Sequence, residues 1–319
     1  MRKIIQYIEN LMIKDRDFEY SINIDIDTFK DYEIFIVNID IFFKDKIFKT
    51  QPILYGHKKK LQLLSIYLWN QLSTDWIDKP IENNSCYSLK NDILIPELAN
   101  KFETELGNVL DIGSYNGEIL YLAQNIKNMN INKYIGVDII DSKNIKLYPI
   151  TENRRYIQQD IHDFLEINKH SFKTIVISMT LLNIIDINYF FKQISIISNI
   201  DTKIHIVDIN SDSYQAKGFY YKENDEWFLK KIFNSNKIFF TLKKLSKHHH
   251  TIHCHHPKNL YNDLLKKYNF IIEYDYVKGV NKKELISQCL DEKYQKRMIK
   301  KMSKYTKYPC FHFIGVKRV

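Results

Sequence analysis

The sequence predicts an α/β fold in which helices cover a largely parallel sheet. From Asn108 onward, short apolar runs alternate with amphipathic stretches of helical spacing, which is typical of parallel strands joined by crossover helices. A loop that carries two glycines also follows the first of these runs, as expected where a strand turns into a helix. These two observations place the sheet in the C-terminal two thirds of the chain.

Seven segments are predicted strands, and two between them are predicted helices. The strands are residues 108–112, 133–139, 155–160, 174–179, 203–208, 270–277 and 310–317. Apolar residues recur with helical spacing at 118–127 and 184–198.

Residues 1–100 have a different pattern. Segments 5–12 and 61–72 have helical spacing, whereas 32–43 is compatible with a strand or a buried helix. We therefore predict a mainly helical N-terminal cap at 1–100 and a second domain at 101–319. The second domain would carry one insert at 209–247, which with the cap would close over a substrate, and a basic helical insert at 278–309.

Composition limits the class of protein. With 319 residues and 45% hydrophobic residues, the chain can bury a large core and is not a disordered chain. Its four cysteines form no CxxC pair, which favours reduced thiols. No stretch reaches the length of about 18 apolar residues that a membrane span requires. We therefore expect a soluble, cytoplasmic protein with no membrane partner. The sequence is compatible with a homo-oligomer but does not predict the oligomeric state.

The loop VLDIGSYNGEIL, residues 109–120, is the most informative motif. It contains two of the eight glycines, Gly113 and Gly117, preceded by Asp111. Gly113 would allow a tight turn and a close approach to a ligand. The G-x-x-x-G spacing differs from the G-x-G-x-x-G of dinucleotide-binding loops and so disfavours NAD and FAD. Asp111 would instead receive a cationic or amine-bearing ligand.

Two further acids end the next two predicted strands. Asp138 ends YIGVDII, where a carboxylate is placed to accept hydrogen bonds from two ribose hydroxyls. Asp160 ends the strand in YIQQDIHDF. Because the carboxyl ends of parallel strands meet at one edge of a sheet, these acids predict a ligand crevice there.

The order D-x-G-x-x-x-G, V-D, Q-D-I and ISMTLLNIID resembles the class I S-adenosylmethionine-dependent methyltransferases over residues 105–319. The late segments KNLYNDLLKKYNFII and YPCFHFIGVKR are similar to the final helix and strands of that family. The resemblance implies a Rossmann-like seven-stranded sheet and S-adenosyl-L-methionine as cofactor. It also implies roles for eleven residues. Asp111, Gly113, Ser114, Tyr115 and Gly117 would surround the methionine part, Asp138 would hold the ribose, Ile139 would flank the adenine, Asp160 with Ile161 would read the adenine edge, and Ser178 with Met179 would line the floor.

The segment after the fourth strand bears on the methyl acceptor. It lacks the N/D-P-P-Y/F tetrapeptide, which disfavours amino-methylation of nucleic-acid bases, and no cysteine near Ser178 could attack a pyrimidine ring. SMTLLNIID resembles family members that act on small molecules. The sequence therefore favours methyl transfer to an O, N or C nucleophile of a small metabolite.

Six of the eleven histidines lie within the nine residues HHHTIHCHH. Alternate side chains of a strand share a face, so His253 and His255 would point together, away from Cys254. We predict no metal site here. His255 or His256 could serve as a base or an anchor for the acceptor, because imidazole can take a proton at neutral pH. Surface or packing roles are the alternative.

The basic insert carries a continuous stripe of positive charge. Its members, at helical spacing, are Lys293, Lys296, Arg297, Lys300, Lys301 and Lys304. Such a stripe is compatible with a helix face that is simply exposed to solvent. It is also compatible with a docking surface for RNA, a phosphorylated substrate or an acidic partner. An RNA methyltransferase and a catalytically silent scaffold with a methyltransferase fold are the two alternative functions.

Overall fold

The computed structural model describes residues 1–14, 16–76, 94–115, 117–121, 128–140, 151–168, 170–211, 217–245, 249–279 and 310–319. Its helices are α1 (Arg2–Leu11), α2 (Lys58–Trp76), α3 (Ile95–Ala99), α4 (Glu118–Tyr121), α5 (Ile161–Ile167), α6 (Ile187–Ile197) and α7 (Lys258–Lys267). None of these is long and apolar enough to cross a membrane.

The main sheet contains the seven predicted strands. They are β5 (Glu105–Ile112), β6 (Asn130–Asp138), β7 (Arg154–Gln158), β8 (Phe172–Ser178), β9 (Ser198–Ile209), β14 (Phe270–Lys278) and β15 (Phe311–Arg318), in the order β14-β15-β9-β8-β5-β6-β7. β5, β6, β7, β8 and β9 pair in parallel, whereas β15 runs antiparallel to β9 and β14. The prediction of a seven-stranded α/β sheet is confirmed.

The apolar runs form central strands because both faces of the sheet are covered. Leu110 and Ile112 of β5 pack in one cluster with side chains of α5, α6 and α7, and Val109 packs in another with α3 and α4. All three are fully buried. A strand that is buried on both faces has a continuous run of hydrophobic residues, and these runs allowed the strands to be predicted from the sequence.

The N-terminal region differs from the predicted mainly helical cap. It contains four strands, β1 (Glu19–Phe29), β2 (Ile34–Phe43), β3 (Lys46–Lys49) and β4 (Ile53–Tyr55), besides α1 and α2. The segment 32–43, which the sequence left open, is largely strand β2. Along β1, isoleucines alternate with polar residues. Because successive side chains of a strand point to opposite faces, this alternation puts the isoleucines on the face that packs against the core.

Two later strands complete this second sheet. β12 (Phe239–Lys244) pairs with β4, and β13 (His250–His255) pairs with β12, in the order β1-β2-β4-β12-β13 with β3 beside β2. α1 packs on one face through Ile4 and Ile8, and α2 packs on the other through Leu61 and Leu64. The insert 209–247 thus contributes β12 and a separate hairpin of β10 (Gly218–Glu223) and β11 (Glu226–Lys231). The domain boundary at residue 100 stays a prediction.

Most of the predicted basic insert, including the stripe from Lys293 to Lys304, lies outside the described residues. His248 and the end of the predicted helix 118–127 also lie outside them.

Candidate functional site

The glycine loop makes a tight turn at the carboxyl end of β5. Gly113 has φ of 71° and Gly117 has φ of 76°, both in the left-handed region that glycine adopts at little cost. The N–H groups of Gly113 and Ser114 donate to the carbonyl of Val137 on β6, at 2.9 and 3.3 Å. Tyr115, with φ of 45°, also has a left-handed conformation. The turn that the sequence predicted at Gly113 is therefore present.

Neighbouring side chains fill the space beside both glycines. A Cβ added to Gly113 would lie 1.9 Å from Oγ1 of Thr180, and one added to Gly117 would lie 2.3 Å from the hydroxyl of Tyr156. Glycine is therefore required here by internal packing as well as by the backbone conformation.

Asp138 lies at the end of β6 and joins the two loops beside it. Its Oδ2 accepts a hydrogen bond from the N–H of Tyr115 at 2.8 Å, and its Oδ1 accepts one from the N–H of Ile140 at 3.0 Å. Asp138 and Ile139 are both half-buried. Because an ionised carboxylate offers about four acceptor directions, Asp138 can still accept from a ligand hydroxyl.

Asp160 lies just beyond β7, where it caps helix α5. Its Oδ1 accepts from the N–H of His162 at 2.9 Å, and its Oδ2 accepts from Nε2 of Gln62 at 3.2 Å. Gln62 belongs to α2, so the N-terminal region contacts the carboxyl edge of the sheet at Asp160. Ile161, the first residue of α5, is buried.

Asp111 has a different environment from the other two acids. It is 1% exposed, and its Oδ2 accepts from the hydroxyl of Tyr134 on β6 at 2.7 Å. Strand alternation places it on the same face of β5 as Val109, inside the core with α4. The structure therefore leaves Asp138 and Asp160 half-buried at the carboxyl edge of the sheet, whereas Asp111 is buried below that edge.

Four buried polar side-chain atoms, at or shortly after the ends of β8, β9 and β13, have no hydrogen-bond partner among the described residues. They are Ser178 Oγ, Asn183 Oδ1, Ser211 Oγ and His256 Nε2. Such atoms are rare in folded proteins, and each one indicates a bound water, a ligand or a functional role. Met179 follows Ser178 with φ of 55°, and its N–H donates to the carbonyl of Val207 at 2.8 Å.

The two candidate histidines have different surroundings. His255 Nε2 lies 2.8 Å from Thr241 Oγ1, and its ring stacks on Phe239, which belongs to the cluster under α1. His256 Nδ1 lies 3.2 Å from the Tyr261 hydroxyl, and its backbone carbonyl accepts from the Lys217 ammonium at 3.2 Å. The sequence could not separate them, but in the structure His255 Nε2 contacts Thr241, whereas His256 Nε2 has no hydrogen-bond partner within the described residues.

Burial keeps these histidines neutral. Loss of solvation lowers the pKa of His253 and His256 to about 3 and lowers that of His255 well below its usual range. Cys254 packs instead with Leu61 and Leu64 of α2, on the other side of the sheet from Phe239. Within the described ranges, no group of three or more His, Cys, Asp or Glu residues could hold a metal ion.

Two residues of this region were missed by the sequence analysis as candidates. Asp208 is 1% exposed near the end of β9, and loss of solvation raises its pKa to about 7. Its position at a strand end, like that of Asp138, could have identified it. Gln62 gave no comparable indication, because its contact with Asp160 depends on how α2 packs.

Comparison with solved structures identifies the fold. A protein from Listeria monocytogenes assigned to the S-adenosylmethionine-dependent methyltransferases aligns with a TM-score of 0.55 and 15% identity, over 70% of this chain and 97% of its own. An S-adenosylmethionine-dependent methyltransferase from Mesorhizobium loti aligns with a TM-score of 0.54 and 13% identity, over 70% of this chain and 96% of its own. No family model matches the sequence. No curated protein matches it either. The chain has the Rossmann-like fold of class I methyltransferases.

Proposed function

We propose that this protein is an S-adenosyl-L-methionine-dependent methyltransferase that acts on a small polar molecule. The main observation is the carboxyl edge of the sheet, where Asp138 and Asp160 lie half-buried near a left-handed glycine turn. The fold shared with the two methyltransferases supports the same function. In open α/β sheets, ligands bind in the crevice outside the carboxyl ends of the strands.

The residues present fit this cofactor. Asp138 would accept from the ribose hydroxyls, Asp160 and Ile161 would border the adenine, and the turn from Gly113 to Gly117 would border the methionine part. Ser178, whose Oγ is buried without a partner in the described ranges, would take a hydrogen bond from the ligand. S-adenosyl-L-methionine supplies an electrophilic methyl group on its sulfonium. The chain would align the acceptor with that group and exclude water.

His256 would orient the acceptor. Because its pKa is lowered to about 3, its imidazole is neutral and a weak proton acceptor near neutral pH. Its Nε2 can still hydrogen-bond an acceptor hydroxyl or amine. His256 and Tyr261 are 2% and 7% exposed, and Leu61 and Leu64 of α2 pack close by against Cys254. A site that is covered in this way favours a small acceptor over a polymer.

Replacing Asp138 with alanine should weaken the binding of S-adenosylhomocysteine at least tenfold. Charge-assisted hydrogen bonds to a carboxylate contribute about 1.5–3 kcal/mol each, and the variant would also release the N–H groups of Tyr115 and Ile140. Isothermal titration calorimetry measures the affinity. Asp163→Ala, at an exposed acid in the first turn of α5, is the matched control. Equal affinity of Asp138→Ala and wild type would contradict the placement of the ribose.

Labelled methyl transfer tests the class of acceptor. We expect label from methyl-labelled S-adenosylmethionine to enter a metabolite fraction below about 1 kDa rather than RNA. Transfer should fall about five- to 150-fold in His256→Ala, since a buried hydrogen bond contributes about 1–3 kcal/mol. Cofactor affinity should stay unchanged in this variant. His255→Ala is the paired control, because the contacts of His255 lie with Thr241 and Phe239.

The alternatives give other outcomes of the same experiment. Label in RNA, lost when three lysines of the stripe are changed to glutamate, would favour an RNA methyltransferase. Absence of binding of either S-adenosylmethionine or S-adenosylhomocysteine at millimolar concentration would favour a catalytically silent scaffold.

A further inference from the structure

Asp208 holds the segment that follows β8. Its Oδ2 accepts a hydrogen bond from the N–H of Leu182 at 2.9 Å, and its Oδ1 accepts one from the N–H of Ile209 at 2.7 Å. A side chain of β9 therefore supports the short helical turn Leu181–Asn183, which belongs to the post-β8 turn, residues 179–183.

The post-β8 turn reaches the glycine loop on its other side. Thr180 Oγ1 lies 3.1 Å from the carbonyl oxygen of Ile112 and 3.0 Å from that of Ser178, and it fills the space beside Gly113. The turn also carries Asn183, whose buried Oδ1 has no partner within the described ranges. Any shift of the turn would therefore change both the glycine loop and the neighbouring polar atoms.

Asp208 is buried beside side chains of three other elements, β13, α7 and β15. Cys254 of β13 and Tyr261 of α7 interact with it electrostatically, and His312 lies opposite it on β15, with Nε2 2.5 Å from Oδ1 of Asp275. The positive charge of Lys58 on α2 acts on the pKa of Cys254 in the opposite direction to Asp208. No lysine or arginine in the described residues forms an ion pair with Asp208 in this structure. The backbone N–H groups therefore supply its stabilisation.

We infer that Asp208 is a positioning residue, whose ionised carboxylate holds the post-β8 turn against the glycine loop in the arrangement that binds the cofactor. The inference rests on the proposed function. Protonation would place a hydrogen on one carboxyl oxygen and remove the negative charge, which weakens the hydrogen bonds from the N–H groups of Leu182 and Ile209. Loss of solvation raises the pKa of Asp208 to about 7, so this change falls in the neutral range.

The test is the pH dependence of S-adenosylhomocysteine binding to the full chain, measured by calorimetry between pH 6 and pH 8. The wild-type affinity should rise about tenfold across this range, in step with ionisation of Asp208. Asp208→Asn should bind more weakly at pH 8 and show no such rise. Asp186→Asn is the matched control, because Asp186 also accepts a backbone N–H just after the same turn, from Tyr189 at 3.2 Å.

Each other outcome overturns the inference. A flat wild-type profile does so even where Asp208→Asn fails to fold. A wild-type rise that persists in Asp208→Asn assigns the pH dependence to another group. No binding by the wild type at any pH removes this inference together with the proposed function, whereas a flat profile with normal affinity removes only the inference.

Discussion

Acid should unfold this protein between about pH 6 and pH 4, because four buried histidines cannot be protonated in the folded state. Burial lowers the pKa of His205 to about 4 and that of His253 and His256 to about 3, and lowers the pKa of His255 well below its usual range. In the unfolded chain these groups return to an ordinary pKa near 6.5. Below that pH the unfolded chain binds protons that the folded chain does not, so its free energy falls relative to the folded state.

The change of unfolding free energy with pH is set by how many more protons the unfolded chain binds than the folded chain. Each histidine contributes about 1.4 kcal/mol per pH unit below its unfolded pKa. Asp208 acts in the opposite direction, because its pKa of about 7 makes the folded state hold a proton that the unfolded chain releases. Unfolding therefore takes up a net three protons, and each pH unit of acidification lowers the free energy of unfolding by about 4 kcal/mol. A typical folding free energy of about 5–15 kcal/mol is therefore lost within a few pH units.

Urea unfolding curves between pH 7 and pH 5 measure this slope. His253→Gln should reduce it by about 1.4 kcal/mol per pH unit, since one proton is removed from the balance. His170→Gln, at an exposed histidine, should leave it unchanged. Equal slopes for wild type and His253→Gln would show that His253 is not a source of the acid sensitivity.

Gly113→Ala should destabilise the protein by about 2–4 kcal/mol, from strain in the left-handed conformation and from overpacking. The new Cβ would lie 1.9 Å from Thr180 Oγ1, so either the glycine loop or the post-β8 turn must move. S-adenosylhomocysteine binding should fall with it, because both segments border the proposed cofactor site. Urea unfolding and calorimetry measure the two effects.

A double variant separates the two causes of that loss. Gly113→Ala combined with Thr180→Ala removes the clashing hydroxyl and leaves the φ of 71° unchanged. The pair should therefore be less destabilising than the sum of the single variants, with Thr180→Ala alone as the control. Strict additivity would show that the contact between Thr180 and residue 113 contributes nothing.

The sequence was sufficient for the main sheet because the strands of its centre are buried on both faces and read as continuous apolar runs. β2 was left open, and β1 was missed although Tyr20, Ile22, Ile24 and Ile26 alternate with polar residues. That period of two is the pattern of a strand with one face toward the core. The partners β12 and β13 lie far away in sequence, and local pattern cannot report such a pairing.

The candidate site could be predicted where an acidic residue lies at the end of a predicted strand. Asp138 and Asp160 lie at the predicted edge of the sheet, but the burial of Asp111 against Tyr134 depends on a side chain from the neighbouring strand. The contacts of Thr180 with the glycine loop and of Gln62 with Asp160 likewise arise from tertiary packing. His255 and His256 have different surroundings because β13, which ends at His255, belongs to the second sheet, and the sequence did not predict that sheet.

The pairing of β4 with β12 has a consequence for how the chain folds during synthesis. Leu54 lies opposite Phe240, so the ribosome must add nearly two hundred further residues before the N-terminal strands gain this partner. At about 5–20 residues per second, Ile53 and Leu54 would wait on the order of ten seconds or more. The nascent N-terminal hundred residues would expose an unpaired strand edge throughout that time, and such edges are prone to pair with other chains.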